Sequence, residues 1–179
     1  MDEQDDAELV GRCVRGDPEA FEPLVARYQR VLFNVALRMV NDYEDARDVT
    51  QNAFVKAYEK LDTYDAHYKF FSWIYRIMMN EALNLLKRRR ARDPLDPDLP
   101  SPSNPQAEVE AREVSRRVQA AVLTLPVDSR EVVILRHFVE LSYEEMSDIL
   151  SLPEKTVKSR LFTARRRLAQ VLLEEGAPR

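Results

Sequence analysis

The chain is poor in the residues on which catalytic and metal sites usually depend. Its 179 residues include one cysteine, Cys13, and two histidines, His67 and His137, which lie far apart in the sequence. One thiol cannot form an internal disulfide or a cysteine-based metal site, so Cys13 is interpreted as a small helix-packing residue. Neither a Gly-rich phosphate loop nor paired zinc ligands are present. We therefore expect no enzyme activity, no cofactor and no bound metal.

Long apolar runs are absent as well. A helix that spans a bilayer needs roughly 18 apolar residues in succession, and the sequence contains no such run. Residues 1–8 are acidic, whereas a secretory signal begins with basic residues that are followed by apolar ones. These two features predict a cytoplasmic protein with no membrane insertion of its own.

The composition favours helices. Only 3 glycines occur, charged residues make up 32% of the chain, and apolar residues recur at helical spacing. The predicted fold class is all-α, with two small helical domains. Residues 93–107 contain five of the ten prolines, which remove backbone donors and disfavour helix. This segment is interpreted as a flexible, proline-rich linker between a domain at residues 1–92 and another at residues 108–179.

Capping residues predict where several helices begin. Asp17, which precedes a proline, is expected to cap a long helix of the first domain. A second helix over residues 42–61 is expected to turn Tyr58 inward, and the hydroxyl of Ser72 is expected to cap a third. Capping-box spacing predicts two helix starts in the second domain, at Asp128 with Glu131 and at Ser142 with Glu145.

The net charge of -4 conceals a strong segregation of charge along the chain. Residues 66–92 carry a net charge of +6 and residues 153–173 a net charge of +5, whereas residues 1–65 and 93–152 each carry -7. Blocks of positive charge attract phosphate locally, whatever the overall sum. Solvated helix faces alone do not explain so strong a segregation, and the pattern favours a nucleic-acid partner.

The basic segment near the C-terminus has the element lengths of a helix-turn-helix. Residues 142–150 form one predicted short helix, residues 151–153 a tight break, and residues 154–170 a longer helix. The face of the longer helix opposite its apolar stripe is basic, hydroxyl-bearing and aromatic, which suits a major groove better than an ordinary cationic surface. The predicted DNA-contacting residues are Lys155, Lys158, Ser159, Phe162, Thr163 and Arg166.

The other basic segment is rich in aromatic side chains. Six of the 15 aromatic residues of the chain lie within residues 64–75, next to His67, Lys69 and Arg76. Flat rings beside cations are suited to stacking on unpaired bases. Burial in the core is the alternative, and it explains Trp73 and Phe71 better than the other rings. We favour contact with single-stranded DNA.

An acidic and amide-bearing face is predicted on the second helix. Asp45, Asp48 and Asn52 fall on one side of this helix, with Gln51 adjacent. A solvated face and a docking surface for a partner are both compatible with this pattern, and periodicity alone favours the solvated face.

Several sequence strings together resemble one protein family. The strings at residues 15–29 (RGDPEAFEPLVARYQ), 44–61 (EDARDVTQNAFVKAYEKL) and 70–90 (FFSWIYRIMMNEALNLLKRRR) resemble region 2 of the extracytoplasmic-function (ECF, group 4) sigma factors of the sigma-70 family. The string at residues 125–168, which includes SYEEMSDILSLPEKTVKSRLFTARRRL, resembles their region 4. The two blocks follow the family order, and no segment corresponds to region 3.

This resemblance implies a role for each segment of the first domain. In the family, region 2 binds the clamp helices of the largest subunit of RNA polymerase, and it melts and reads the minus 10 element of the promoter. The resemblance assigns polymerase binding to Asp45, Asp48, Gln51 and Asn52. It assigns minus 10 recognition and melting to Tyr64, His67, Lys69, Phe70, Phe71, Trp73, Arg76 and Asn80.

The resemblance also implies the partners of the second domain. Region 4 reads the minus 35 element through the predicted recognition helix, and it contacts the flap of the second-largest polymerase subunit. Core RNA polymerase, promoter DNA and an anti-sigma factor are thus the expected partners, in a bacterial cytoplasm. The alternative is a helix-turn-helix transcription regulator that is not a sigma factor; such a regulator binds its site alone and depends on another sigma factor.

Overall fold

The protein consists of two helical units. The computed structural model describes residues 3–92 and 109–176, in which it has eight α-helices, two short 3-10 helices and no strand. The chain divides into two compact units, Met1–Pro94 and Leu95–Arg179. The all-helical, two-domain fold class predicted from the sequence is confirmed. The predicted proline-rich linker at residues 93–107 lies outside the described residues.

Four α-helices build the first unit. They are α1 (Glu3–Val14), α2 (Glu22–Val40), α3 (Tyr43–Glu59) and α4 (Phe70–Arg92), with 3-10 helices at Pro18–Phe21 and Leu61–Thr63. Helices α2, α3 and α4 pack against one another in pairs, and α1 packs on α2 and α4. The apolar stripes predicted from the three-four spacing meet in one core, whose fully buried members include Leu24, Leu32, Met39, Ile74 and Met78.

A buried carboxylate fixes α1 to α2. Asp6 is only 1% exposed, and it accepts hydrogen bonds from the hydroxyl of Tyr28 and the guanidinium of Arg27. Burial, together with the bond to Asp6, raises the pKa of Tyr28 well above its usual value. A buried charge is tolerated only when it is paired and hydrogen-bonded, so these contacts define where α1 lies.

Three expectations for the first unit are wrong. Asp17 precedes a 3-10 helix and makes no side-chain cap bond; its carboxylate instead accepts from Nε and Nη2 of Arg12, at 3.0 and 2.7 Å. Ser72 lies inside α4, which begins two residues earlier, and its side chain is buried. Tyr58 is 44% exposed, since its ring lies against the edge of Phe21, with 5.1 Å between centroids, and not in the core.

The second unit is arranged around its last helix. It contains α5 (Val109–Leu123), α6 (Val127–His137), α7 (Tyr143–Leu150) and α8 (Glu154–Gly176), and α8 packs on each of the other three. None of the helices in the described ranges of either unit is long and apolar enough to cross a membrane. The buried side chains of this unit include Val122, Val132, Ile134, Leu135, Met146, Val157, Leu161 and Ala164.

Of the two predicted capping boxes in this unit, one is confirmed and the other is wrong. Ser142 Oγ accepts from the backbone N–H of Glu145 at 3.1 Å, and the Glu145 carboxylate accepts from the backbone N–H of Ser142 at 2.8 Å. Asp128 does not cap α6, because that helix begins one residue earlier, after a proline. The carboxylate of Asp128 pairs with Arg160 of α8 at 3.3 Å.

Candidate nucleic-acid interface

A turn without glycine joins the two helices of the helix-turn-helix. Ser151 ends α7 in the left-handed conformation, with φ of 52°, which glycine adopts more readily than serine does. The backbone N–H of Leu152 donates to the carbonyl of Ser147 at 3.1 Å, and Ser147 Oγ donates to the carbonyl of Leu152 at 2.5 Å. These two bonds close the turn and fix the start of α8 relative to α7.

The predicted DNA-contacting residues of α8 share one exposed face. Its opposite face is buried in the core of the second unit through Val157, Leu161 and Ala164. Phe162 is 64% exposed, with the guanidinium of Arg166 6.0 Å from its ring centroid. The six exposed side chains are Lys155, Lys158, Ser159, Phe162, Thr163 and Arg166.

One cation of this face is held in place by neighbouring side chains. Lys158 Nζ lies 5.1 Å from the ring centroid of Tyr143 and 2.5 Å from the carboxylate of Glu154. The guanidinium of Arg136 lies 5.2 Å from the same ring and donates to the carbonyl of Leu141 at 2.7 Å. Sequence reasoning did not identify Tyr143 or Glu154, although a glutamate four residues before a lysine is a recognisable pair.

A histidine lies beside the same helix. Nη2 of Arg165 is 3.2 Å from Nε2 of His137, at the end of α6. Partial burial, with the positive charges of Arg165 and Arg136, lowers the pKa of His137. A neutral imidazole can accept a hydrogen bond from a guanidinium, whereas a protonated one cannot. The contact therefore depends on neutral His137.

In the aromatic segment of the first unit, two rings predicted to contact DNA are buried. Phe70 is 1% exposed and Phe71 5% exposed, and their ring centroids lie 5.6 and 5.9 Å from that of Tyr28 on α2. Tyr75 is buried as well, at 1% exposure. These rings fill the space between α2 and α4, so Phe70 and Phe71 do not lie on the exposed surface of the unit.

Other side chains of this segment do face the solvent. Tyr64 and Trp73 are half-buried, with 5.5 Å between their ring centroids. Tyr68, which was not among the predicted site residues, is 61% exposed. The remaining predicted residues are all exposed, namely His67, Lys69, Arg76 and Asn80.

The predicted acidic face of α3 contains one half-buried residue, which pairs with α4, and three exposed residues. Asp48, Gln51 and Asn52 are exposed. Asp45 is half-buried and forms an ion pair with Arg89 of α4, whose Nη1 also donates to the carbonyl of Val40 at 2.9 Å. Asp45 therefore joins α3 to the end of α4, while the other three side chains are presented to the solvent.

Exposed residues Asp48, Gln51 and Asn52 form a strip along α3, and this exposed strip continues beyond the predicted residues. Val55 follows Gln51 and Asn52 on the same side of α3 and is 56% exposed. Spacing of three and four residues from Gln51 and Asn52 is the sequence signal that places Val55 on this face. In the described part of the chain, no group of three or more His, Cys, Asp or Glu residues is placed to hold a metal ion.

Comparison with known families and proteins agrees with this arrangement. Residues 24–92 match the family model for Sigma-70 region 2, and residues 115–168 match that for Sigma-70, region 4. The RNA polymerase sigma-H factor of Pseudomonas aeruginosa is 34% identical, over 96% of each chain. The ECF RNA polymerase sigma-E factor of Escherichia coli (strain K12) is 38% identical, over 89% of this chain and 90% of that one.

Similarity to a solved structure extends over nearly the whole chain. A chain in the structure of CnrH in complex with the cytosolic domain of CnrY is 31% identical and superposes with a TM-score of 0.75, covering 97% of this chain and 99% of that one. Sequence identity and fold similarity therefore agree over both units. The chain belongs to the ECF family of RNA polymerase sigma factors.

Proposed function

We propose that each unit of this sigma factor reads its own promoter element, and that the first unit also docks on core RNA polymerase. The observation that carries this proposal is the exposed face of α8, on which cations, hydroxyls and one aromatic ring stand opposite a buried apolar stripe. Such a face fits a major groove and has no packing role in its own unit. The minus 35 element is its proposed target.

Each chemical group on this face has a counterpart on DNA. Lys155, Lys158 and Arg166 can contact phosphates or the acceptor atoms of guanine. The hydroxyls of Ser159 and Thr163 can bond to either, and the ring of Phe162 can rest on a thymine methyl. In the free protein, the ammonium of Lys158 is paired with the carboxylate of Glu154.

The proposed minus 10 surface lies at the start of α4 and in the loop before it. Exposed His67, Lys69, Arg76 and Asn80 supply positive charge and hydrogen-bonding groups. The half-buried ring of Trp73 borders this surface. Binding to unpaired bases there favours the open form of the duplex, so promoter melting needs binding energy and no catalytic group from this chain.

The proposed polymerase contact is the exposed strip of α3. Asp48, Gln51, Asn52 and Val55 offer a carboxylate, two amides and an apolar side chain on one face. This combination suits the clamp helices of the largest polymerase subunit. The second unit of this chain is proposed to contact the flap of the second-largest polymerase subunit.

An anti-sigma factor is a further proposed partner. The similar protein CnrH has been solved in complex with the cytosolic domain of CnrY, which supports a protein partner of this kind for the present chain as well. Binding of such a regulator over the exposed strip of α3 would compete with polymerase.

Two linked units explain how weak contacts can give a specific promoter complex. Each unit alone needs only modest affinity, because linkage raises the effective concentration of the second contact once the first has formed. Docking on polymerase fixes the distance between the two DNA-reading surfaces. Simultaneous recognition of both elements then sets the choice of promoter.

Run-off transcription from a promoter library with purified core polymerase tests the proposal. We expect specific transcripts only when this protein is added, and a large loss of them when Asp48 and Gln51 are both changed to Ala. The alternative, a regulator that is not a sigma factor, predicts no specific transcripts with core enzyme alone and site-specific DNA binding without polymerase.

A further inference from the structure

The loop that precedes α4, residues 64–69, is closed by its own side chains. The hydroxyl of Tyr64 donates to the carbonyl of Tyr68 at 2.7 Å. Asp65 Oδ1 accepts from the backbone N–H of His67 at 3.0 Å and lies 2.7 Å from His67 Nδ1. The backbone N–H of Tyr68 donates to the carbonyl of Asp65 at 3.0 Å. Four contacts thus hold five successive residues in one turn.

The two tyrosines of this loop have opposite environments. The ring of Tyr64 is held against those of Phe70 and Trp73, with centroid distances of 5.5 Å in each case. The ring of Tyr68 is 61% exposed, the highest exposure among the aromatic residues of the segment. The turn therefore fixes the backbone of Tyr68 before any ligand arrives and leaves its ring accessible for stacking.

We propose that Tyr68 is the ring on which an unpaired promoter base stacks, and that Tyr64 and Asp65 are positioning residues that preform the turn presenting it. This inference rests on the proposed minus 10 role of the segment. It transfers the stacking role predicted for Phe70 and Phe71, which are buried, to a side chain that is accessible.

Preformation has an energetic reason. A loop that is already ordered does not lose conformational freedom when the base binds, so more of the stacking energy appears as affinity. An aspartate that accepts from the backbone two residues later is a common way of rigidifying a turn. The bonds from His67 lower the pKa of Asp65, so its carboxylate stays ionised, and the turn stays closed, at neutral pH.

The test uses the full chain assembled with core polymerase. Single-stranded oligonucleotides carry the minus 10 element of a promoter selected by run-off transcription, with 2-aminopurine at one position at a time. Stacking of the fluorescent base on an aromatic ring quenches its fluorescence. Thermal melting of each variant confirms that it is folded.

The wild-type protein is expected to quench one position. Tyr68→Ala should abolish the quench and weaken binding about 5- to 150-fold, the range for stacking of one base on an aromatic side chain. Tyr68→Phe keeps the ring and should restore most of the quench. Val14→Ala removes an exposed apolar side chain elsewhere in the unit and serves as the matched control.

The positioning residues are tested by changes that remove or weaken their hydrogen bonds. Tyr64→Phe removes only the hydroxyl and should weaken binding about two- to tenfold, with the quenched position unchanged. Asp65→Ala should have a similar effect, and Asp65→Asn, which retains an acceptor oxygen, a smaller one.

The outcomes separate this inference from the function on which it rests. If the wild-type protein quenches a base and Tyr68→Ala quenches it equally, the stacking assignment is overturned while the minus 10 role stands. Unchanged affinity in both Tyr64→Phe and Asp65→Ala overturns the positioning role. If the wild-type complex binds no unpaired base, the minus 10 role fails, and this inference fails with it.

Discussion

Helix α8 and the aromatic segment at residues 64–75 both carry basic side chains, and the sequence predicts a DNA-binding surface on each. In α8, every predicted contact residue is exposed. In the aromatic segment, Phe70 and Phe71 are buried, and the exposed ring is Tyr68. The difference lies in what fixes the direction of a side chain.

Within a long helix, the apolar stripe determines the opposite face by geometry alone. At a junction of loop and helix, the residues do not follow this helical spacing. There, a ring is buried or exposed according to which neighbouring element has room for it, as α2 does at Tyr28. Residue type predicts the chemistry of a surface, and only tertiary packing assigns the individual rings to it.

The largest predicted effect is on stability, and it tests whether Phe70 is a core residue and Tyr68 a surface residue. Phe70→Ala should lower the free energy of unfolding by about 3–5 kcal/mol, as truncation of a buried Phe commonly does. Tyr68→Ala should change it by less than about 0.5 kcal/mol, because the ring is exposed. Urea unfolding of the full chain measures both. Similar losses for the two variants contradict the assignment of one ring to the core and the other to the surface.

The next effect concerns the recognition helix. Arg166→Ala should reduce the preference of the holoenzyme for an intact over a scrambled upstream element by about 1–3 kcal/mol, as expected for one base contact. Arg117→Ala, which removes an exposed cation from α5, is the matched control. Competition binding with the two DNA fragments measures the preference. Equal losses in both variants indicate general charge attraction and no directed contact.

The features that the sequence predicts correctly are those set by local spacing and side-chain chemistry. The helical class, the face of α8 and the capping box at Ser142 follow from spacing and side-chain chemistry, and the structure confirms them. The burial of Phe70 and the pairing of Asp45 with Arg89 do not. Both depend on residues 42 or more positions away, which local patterns do not identify.

A third prediction separates the two aspartates of α3. Asp45→Asn should lower the free energy of unfolding by about 1 kcal/mol or less, since its partly exposed ion pair with Arg89 is screened by solvent. Asp48→Asn should leave stability unchanged and weaken binding to core polymerase several-fold. Thermal unfolding and fluorescence-detected binding measure the two quantities. The assignment of Asp45 to stability and Asp48 to polymerase binding is contradicted if Asp45→Asn leaves stability unchanged and weakens polymerase binding more than Asp48→Asn does.

The smallest predicted effect is a pH dependence in the second unit. The folded pKa of His137 is lowered, so folding favours the neutral ring. Its contribution to stability is fully present above the unfolded pKa of about 6.5 and is lost as the pH falls below that value and through the lower folded pKa. The Tm of the wild-type protein should therefore decline slightly more than that of His137→Gln between pH 7.5 and about 5.5. Parallel declines in the two proteins refute this role for His137.

Promoter selection tests the central claim, that each unit reads its own DNA element, most directly. Holoenzymes containing the wild-type protein or the double variant Lys158→Ala with Arg166→Ala would select transcribed sequences from a library randomised across both elements. The wild-type protein should enrich two separated elements, and the double variant should lose the upstream element while retaining the downstream one. Loss of both elements, or retention of both, would contradict it.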